Sequence, residues 1–191
     1  MGKIALKEKL YHLPYPTTLV GALVNGKPNY LAIGFCGVMD HAPETFYVAL
    51  LKSHYTSIGI RENQTYSVNY PHTGLMVEMD YCGLYSGRKK DKSQIFTTFY
   101  GELKTAPMIQ ECRLNLECRV VKTLDLGHHE AFIAHIHKAY ADEDCLLDGQ
   151  PDITKVDPIL LSYPDNRYWR LGEYLGKSLQ EGKKYKARAK A

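Results

Sequence analysis

The dipeptide Asn25-Gly26 sets the first constraint on this chain. It follows Thr17 to Val24, a run whose β-branched content reads as a strand. Asn-Gly supplies the two left-handed residues of a tight hairpin turn. Pro28 stands at the start of the returning strand, where its missing N–H costs no central ladder bond. The first two strands are therefore antiparallel neighbours. A second hairpin follows later. Leu116 to Leu124 alternates, with Leu116, Cys118 and Val120 on one face and Glu117 and Arg119 on the other. Asp125-Leu126-Gly127-His128 makes the turn, and Glu130 to Tyr140 returns. Short strands joined by hairpins, with a few helices inserted, predict a mainly β, α+β chain: an antiparallel barrel rather than a doubly wound sheet. No Gly-x-Gly-x-x-Gly links a strand to a helix, which argues against a Rossmann dinucleotide domain. No repeat of about 20–50 residues is visible, so the chain is not a solenoid.

The stretch from Asn29 to Thr56 carries the chemistry. It opens as a strand, Asn29 to Cys36, that ends among glycines. Glycines let a flat ligand approach the backbone. A loop with Gly37, Asp40 and Pro43 follows, then a second strand from Thr45 to Leu51. That strand runs into Lys52-Ser53-His54-Tyr55-Thr56, hydroxyls and cations just before a helix over Thr56 to Asn63. Ser53 or Thr56 caps that helix, and Gly59 weakens it. Helix starts of this kind hold phosphates through free N–H groups and the positive end of the dipole. A flat-ligand edge and a phosphate-type helix start, one strand apart, suggest a mononucleotide cofactor.

The other segments read more simply. Residues 1–12 are a polar lead-in, and Pro14 and Pro16 fix an extended run. Tyr66 to Asn69 is a short strand stopped by Pro71. Thr73 to Tyr81 is a helix with Leu75, Met76 and Met79 on one face. Residues 84–93 are a polar, basic loop, and Thr97 to Tyr100 is a short strand. Residues 141–158 are loop, Ile159 to Tyr163 is a strand, and Trp169 to Glu181 is a final helix weakened by Gly172 and Gly176.

Composition narrows the function classes. At 191 residues with 45% hydrophobic and 24% charged, this is one ordinary soluble domain, over residues 1–182. The net charge is only +3, and most of the excess lies in Lys183, Lys184, Lys186, Arg188 and Lys190. Residues 183–191 therefore read as a basic, flexible tail and not as a nucleic-acid-binding surface. No apolar run of about 18 residues crosses a membrane. The first residues carry no signal-peptide core. Five scattered cysteines without a Cys-x-x-Cys pair argue against a disulfide framework or zinc ribbon. Free thiols fit a reducing cytoplasm. His135 and His137 lie two apart on a strand, hence on one face, but no third ligand stands at a fixed spacing, so no metal site is assigned. No Gly-x-Ser-x-Gly elbow is present for hydrolase chemistry.

Ordered motifs carry a family resemblance across roughly residues 10–182. They are the Asn29–Thr56 stretch, then Tyr66-Ser67-Val68-Asn69 and Ser86-Gly87-Arg88-Lys89-Lys90-Asp91-Lys92. Pro107-Met108-Ile109-Gln110-Glu111-Cys112, Leu116-Glu117-Cys118 and Tyr168-Trp169-Arg170-Leu171-Gly172-Glu173 complete the pattern. In this order they resemble the flavin reductase family, and most of all its flavoredoxin branch. The resemblance implies an FMN-binding split β-barrel, a Greek-key antiparallel barrel with a few short helices. It also implies a homodimer with FMN near the subunit interface. Two activities are consistent with it. One is an oxidoreductase that takes hydride from NAD(P)H onto flavin and passes electrons on. The other is a flavoredoxin-type FMN electron carrier with no nicotinamide reaction of its own. In both the flavin carries the chemistry, and no catalytic side chain is assigned.

The cofactor residues follow from the same match. Ser53, His54, Tyr55 and Thr56 line the phosphate end, with Ser86 and Lys92; Arg88 and Lys89 are nearby alternatives, and a solvated loop is the rival reading of this segment. Gly34, Phe35 and Cys36 offer their backbones to the ring. The family usually has tryptophan where Phe35 stands, so the aromatic wall remains but the indole N–H donor is lost. Asn29 is either a polar contact to the ring or a turn residue beside Pro28. His129 is a donor near the ring or a turn histidine, and Tyr163 is a ring contact or a core tyrosine.

Overall fold

The computed structural model describes residues 2–185. After β1 (His12–Pro16), the Asn25-Gly26 hairpin forms between β2 (Thr18–Val24) and β3 (Lys27–Ile33), with Val24 opposite Lys27. Both turn residues adopt positive φ, 50° and 73°. Then come β4 (Cys36–His41), β5 (Glu44–Leu51), α1 (Tyr55–Asn63) and β6 (Thr65–Tyr70). A 3-10 turn at Thr73–Leu75 leads into α2 (Met76–Leu84). β7 (Thr98–Phe99) and β8 (Met108–Ile109) make a short ribbon. β9 (Leu114–Leu126) and β10 (His129–Ala141) are the long second hairpin. β11 (Leu146–Leu147), β12 (Gln150–Pro151), α3 (Ile153–Val156), β13 (Leu160–Tyr163) and β14 (Arg167–Trp169) close the order.

Seven strands form the main sheet in the order β3-β2-β6-β9-β10-β5-β4. Every pairing in it is antiparallel. β3 and β4 are its two edges, yet only Gly34 and Phe35 separate them in sequence. Seven flat strands at ~4.8 Å spacing would hold these edges about 29 Å apart. Two residues cannot cover that distance at ~3.5 Å each. The sheet therefore curls until its edges meet. No ladder joins β3 to β4 among the described residues, so the sheet is rolled but split along a seam and is not a closed barrel. A separate sheet, β1-β13-β14, leans on that seam. The Thr17 amide donates to the Ile159 carbonyl (2.9 Å), and the Tyr15 ring lies directly over Gly34, where a Cβ would overlap it.

Strand alternation fills two cores. Val20, Ala22, Val48, Leu50, Tyr66, Val68, Phe132 and Ala134 point into the roll. Leu19 and Tyr30 point the other way and pack with Met79 and Cys82 of α2 and with Phe96 and Ile109. β2 and β3 are thus buried on both faces, which is why β2 reads as an unbroken apolar run. Two of the deepest polar groups are well paired. The Tyr66 hydroxyl donates to the Phe46 carbonyl (3.0 Å), and fully buried Glu117 accepts from the Leu103 amide (2.8 Å) and the Tyr140 hydroxyl (2.7 Å).

Several elements differ from expectation. The loop expected at 37–43 is largely β4, because its backbone pairs with β5 from Cys36 opposite Val48 to His41 opposite Glu44. The first strand consequently ends at Ile33. The helix expected at Trp169–Glu181 does not form. Trp169 belongs to β14, opposite Leu160, and the chain beyond it is irregular up to a 3-10 turn at Glu181–Lys184. Leu175 and Leu179 of that segment are over 90% exposed, so no packed face supports a helix interrupted by two glycines. Residues 141–158 hold a small hairpin and α3. His137 falls at a bulge between Ile136 and Lys138, which breaks the two-residue alternation with His135, and its Nε2 lies 3.0 Å from Glu102. Lys186, Arg188 and Lys190 of the expected tail lie outside the described residues.

Gly59 gives a test of this packing. A Cβ there would overlap the Leu23 carbonyl oxygen, where α1 crosses β2. In an open helix Gly→Ala stabilises by about 1 kcal/mol. Here Gly59→Ala should instead destabilise by about 2 kcal/mol or more. Urea unfolding midpoints measure the difference, and an unchanged or raised midpoint would contradict the close approach of α1 to β2.

Candidate cofactor site

The seam opens a cleft of about 190 Å³ between Gly34, Phe35, Ala49, Leu51, His129 and Tyr163. Its floor is backbone. The Phe35 carbonyl accepts from the Ala49 amide (2.7 Å), which fixes the crossing strand against β5. Its walls are aromatic. The Phe35 ring lies 5.7 Å from the His129 ring and 6.0 Å from Tyr163, and Tyr163 stacks with Tyr15 at 6.2 Å. This is a slot for a flat ring. The Cys36 side chain does not line it, although the Cys36 amide donates to the Gly34 carbonyl (3.0 Å) beside it. Its side chain packs against the inner core, its Sγ is 3.4 Å from the Thr18 hydroxyl, and burial pushes its thiol pKa up.

The opposite end is built for an anion. A second cleft, about 270 Å³, is lined by Ser53, His54, Tyr55, Thr56, Ser86, Gly87 and Lys92. The first turn of α1 opens onto it. His54 is the N-cap residue but makes no side-chain cap, and no acid stands in that turn. The positive helix end is therefore uncompensated by protein. Buried Asn29 donates from Nδ2 to the Thr56 hydroxyl oxygen (2.8 Å). That leaves the Thr56 proton free to donate outward. Lys92 is almost wholly buried, and its Nζ donates to the carbonyls of Cys82 and Tyr85, each at 2.9 Å. These bonds fix the ammonium at the end of α2 and leave one of its three protons free. Burial lowers the Lys92 pKa, so a nearby anion would restore the favoured charged form.

His54 joins the two ends, because it lines both clefts. Its Nδ1 is buried without a hydrogen-bond partner, a costly state for a protein left to itself. A third cleft of about 300 Å³ shares Ala32, Ile33, Gly34 and Tyr163 with the ring slot and Gly83 and Leu84 with the anion end. The three form one trough along β3. Its far wall is α2, which approaches closely because Gly83 faces Ala32; a Cβ on Gly83 would lie 3.4 Å from that of Ala32. A trough with a flat aromatic slot, a fixed-cation anion end and a hydrophobic wall between suits an amphipathic ligand carrying a ring and a phosphate.

The structure brings Gly34, Phe35, His129 and Tyr163 together at the slot and Ser53, His54, Tyr55, Thr56, Ser86 and Lys92 at the anion end. Asn29 lies with the second group. It orients Thr56 and does not line the slot beside Phe35. Arg88 and Lys89 turn away from the anion cleft, into a neighbouring one. Sequence reasoning did not find Ala32, Gly83 and Leu84. Ala32 and Gly83 are small residues on different elements, and only the folded contact between them marks the wall.

Comparison with known proteins agrees with this geometry. A family model described as the flavin reductase like domain matches residues 10–168. The structure is similar to that of flavoredoxin from Methanosarcina acetivorans, with 50% identity, a TM-score of 0.94, and coverage of 96% of this chain and 98% of that one. It is also similar to flavoredoxin of Desulfovibrio vulgaris, with 32% identity, a TM-score of 0.88, and coverage of 95% and 100%. A protein of Archaeoglobus fulgidus is 34% identical over 153 residues, 78% of this chain and 84% of the relative.

The buried state of His54 has a pH consequence. Desolvation, followed by the nearby His129 and Lys92, holds its pKa below the usual 6.5. The unfolded chain then binds this proton more readily, so stability falls as pH drops below about 6.5. Between about pH 7 and pH 5 the thermal midpoint should fall, and His54→Gln should lessen that fall. An identical fall in the variant would remove His54 as its cause.

Proposed function

Because this chain belongs to the flavin reductase like domain family, we propose that its trough holds FMN and that the protein is an FMN-dependent oxidoreductase. On this reading NAD(P)H supplies hydride and the electrons pass onward to an acceptor. The single observation that carries it is the continuity of an aromatic slot and a fixed-cation anion end through His54. The residues fit the cofactor's chemistry. The phosphate would meet the Thr56 hydroxyl, the first turn of α1 and the free proton of Lys92. The ring would lie along the Gly34–Phe35 backbone between Phe35, His129 and Tyr163. When bound, FMN supplies the redox chemistry, accepting hydride and releasing electrons. The chain's own part is to orient it, exclude water from one side and place Lys92 against phosphate charge.

A second reading is a flavoredoxin-type electron carrier with no nicotinamide reaction of its own. The likeness to flavoredoxin from Methanosarcina acetivorans, 50% identical over 96% of this chain, supports it about as well. Anaerobic NADH or NADPH added to the FMN-loaded protein separates the two. Bleaching of the flavin bands favours the oxidoreductase. Bands that persist, yet bleach with dithionite, favour the carrier. We also propose that the protein is a homodimer, since edge strand β4 leaves Val38 and Met39 half or more exposed. Light scattering in solution tests this, and a monomer mass would contradict it.

Thr56 is the more conservative probe of the phosphate end, and because its hydroxyl also accepts from buried Asn29, the thermal midpoint of Thr56→Val is measured beside its affinity. Lys92→Ala would also strip donors from two carbonyls at the end of α2 and so lower stability. Thr56→Val keeps the shape and removes the hydroxyl. It should weaken FMN binding by about tenfold or more, while Thr56→Ser should bind within about threefold of the parent. Calorimetric titration of apoprotein measures both. Equal affinity in Thr56→Val would remove Thr56 from the site.

A further inference from the structure

The cleft of about 300 Å³ branches from the trough beside the ring slot, where the small β1-β13-β14 sheet meets α2. It shares Gly34 and Tyr163 with the slot and reaches on to Thr17, Asp80, Leu161 and Tyr168. The route from slot to anion end runs through His54, which does not line this branch. A ligand that spans those two ends leaves the far half of the branch uncovered. Its electrostatics are the reverse of the anion end's. Its one charged lining residue is Asp80, and no lysine or arginine lines it. Asp80 forms no ion pair with any described residue. The Tyr168 hydroxyl donates to Asp80 Oδ1 (2.6 Å), and Oδ2 has no donor among the described residues. Burial, and then this bond, push the Tyr168 pKa up, so the hydroxyl keeps its proton and holds the carboxylate in place. Thr17 adds an unmet demand. It is only 2% exposed, and its hydroxyl oxygen is buried without a hydrogen-bond partner.

A carboxylate without a cation, set beside two tyrosine rings, selects for positive charge. An ammonium there gains a charge-assisted hydrogen bond and the electron-rich ring faces. We propose that this cleft binds a primary amine carried on a small aromatic body. The ammonium pairs with the free oxygen of Asp80, the body lies against Leu161 and Tyr163, and a hydroxyl on that body meets the Thr17 hydroxyl. Such a ligand is opposite in charge to any phosphate-bearing one, which the same carboxylate repels. The inference does not rest on what fills the ring slot.

The probe is tyramine, a ring with an ethylammonium at one end and a hydroxyl at the other. Calorimetry follows it on the full chain at neutral pH, with FMN in excess. Tyramine should bind, and phloretate, a similar molecule with a carboxylate in place of the ammonium, should bind at least about tenfold more weakly. Asp80→Asn keeps an acceptor for Tyr168 and removes the charge. It should weaken tyramine by about tenfold or more and leave FMN affinity within about twofold of the parent's. Added salt should weaken tyramine binding to the parent and not to this variant. Thr17→Val keeps the shape of the side chain. It should weaken tyramine by about threefold or more and leave phenethylamine, which lacks the hydroxyl, unchanged. A parent chain that binds no tyramine, or binds tyramine and phloretate equally, would overturn the proposal. So would Asp80→Asn protein that binds tyramine as the parent does. The comparison with phloretate uses the parent chain alone, so it decides the matter even where a variant fails to fold.

Discussion

Gly34 and Phe35 connect the two edges of a seven-stranded sheet, and the rest of the molecule depends on that short link. It forces the sheet to roll, and it puts bare backbone at the seam where the roll fails to close. A closed ladder between β3 and β4 would consume these backbone groups. Because the seam stays open, it leaves a slot that Phe35, His129 and Tyr163 wall in. Gly34 is required there, since Tyr15 occupies the space a side chain would need. Shape at the ring end is therefore a by-product of topology.

The anion end depends on a different device. Two buried polar groups, Asn29 and Lys92, spend part of their hydrogen-bonding capacity inside the protein. Those internal bonds orient the remaining donors outward. Asn29 fixes the direction in which Thr56 can donate. Lys92 is held by two carbonyls at the end of α2, where the negative helix end also favours its charge. The site is thus arranged before a ligand arrives, which reduces the ordering cost of binding. Arg61 secures the other side of α1. Its Nε donates to buried Glu130 (3.0 Å) and its guanidinium also reaches the Lys52 carbonyl (3.0 Å), so the last turn of α1 is tied to β10 and to the residue just after β5.

How legible this was in the sequence depended on how local each signal is. The hairpins at Asn25-Gly26 and Gly127-His128 were readable because turn chemistry acts over two residues. α1 was readable within one residue of its start. β4 was not, because Gly37, Asp40 and Pro43 carry loop propensity and only the pairing with β5 makes the segment extended. The helix read into Trp169–Glu181 rested on periodicity without a surface to pack against. The curl was legible as an antiparallel barrel from the hairpins; the split was implied only by the motif resemblance, because it follows from which edges meet, a long-range fact. Most candidate cofactor residues came from motif resemblance, and the structure sorted them into two ends. It set Asn29 against Thr56 at the anion end and turned the Cys36 side chain into the core, and neither placement has a local sequence signal.

The most direct measurement is a titration of FMN with apoprotein, followed by the fluorescence of the flavin. Free flavin is emissive, and a ring packed between Phe35, His129 and Tyr163 would be quenched by its aromatic neighbours. The account predicts quenching that saturates at one FMN per chain. Undiminished fluorescence at excess protein would contradict the seam as a flavin site and leave the rolled sheet without its proposed ligand.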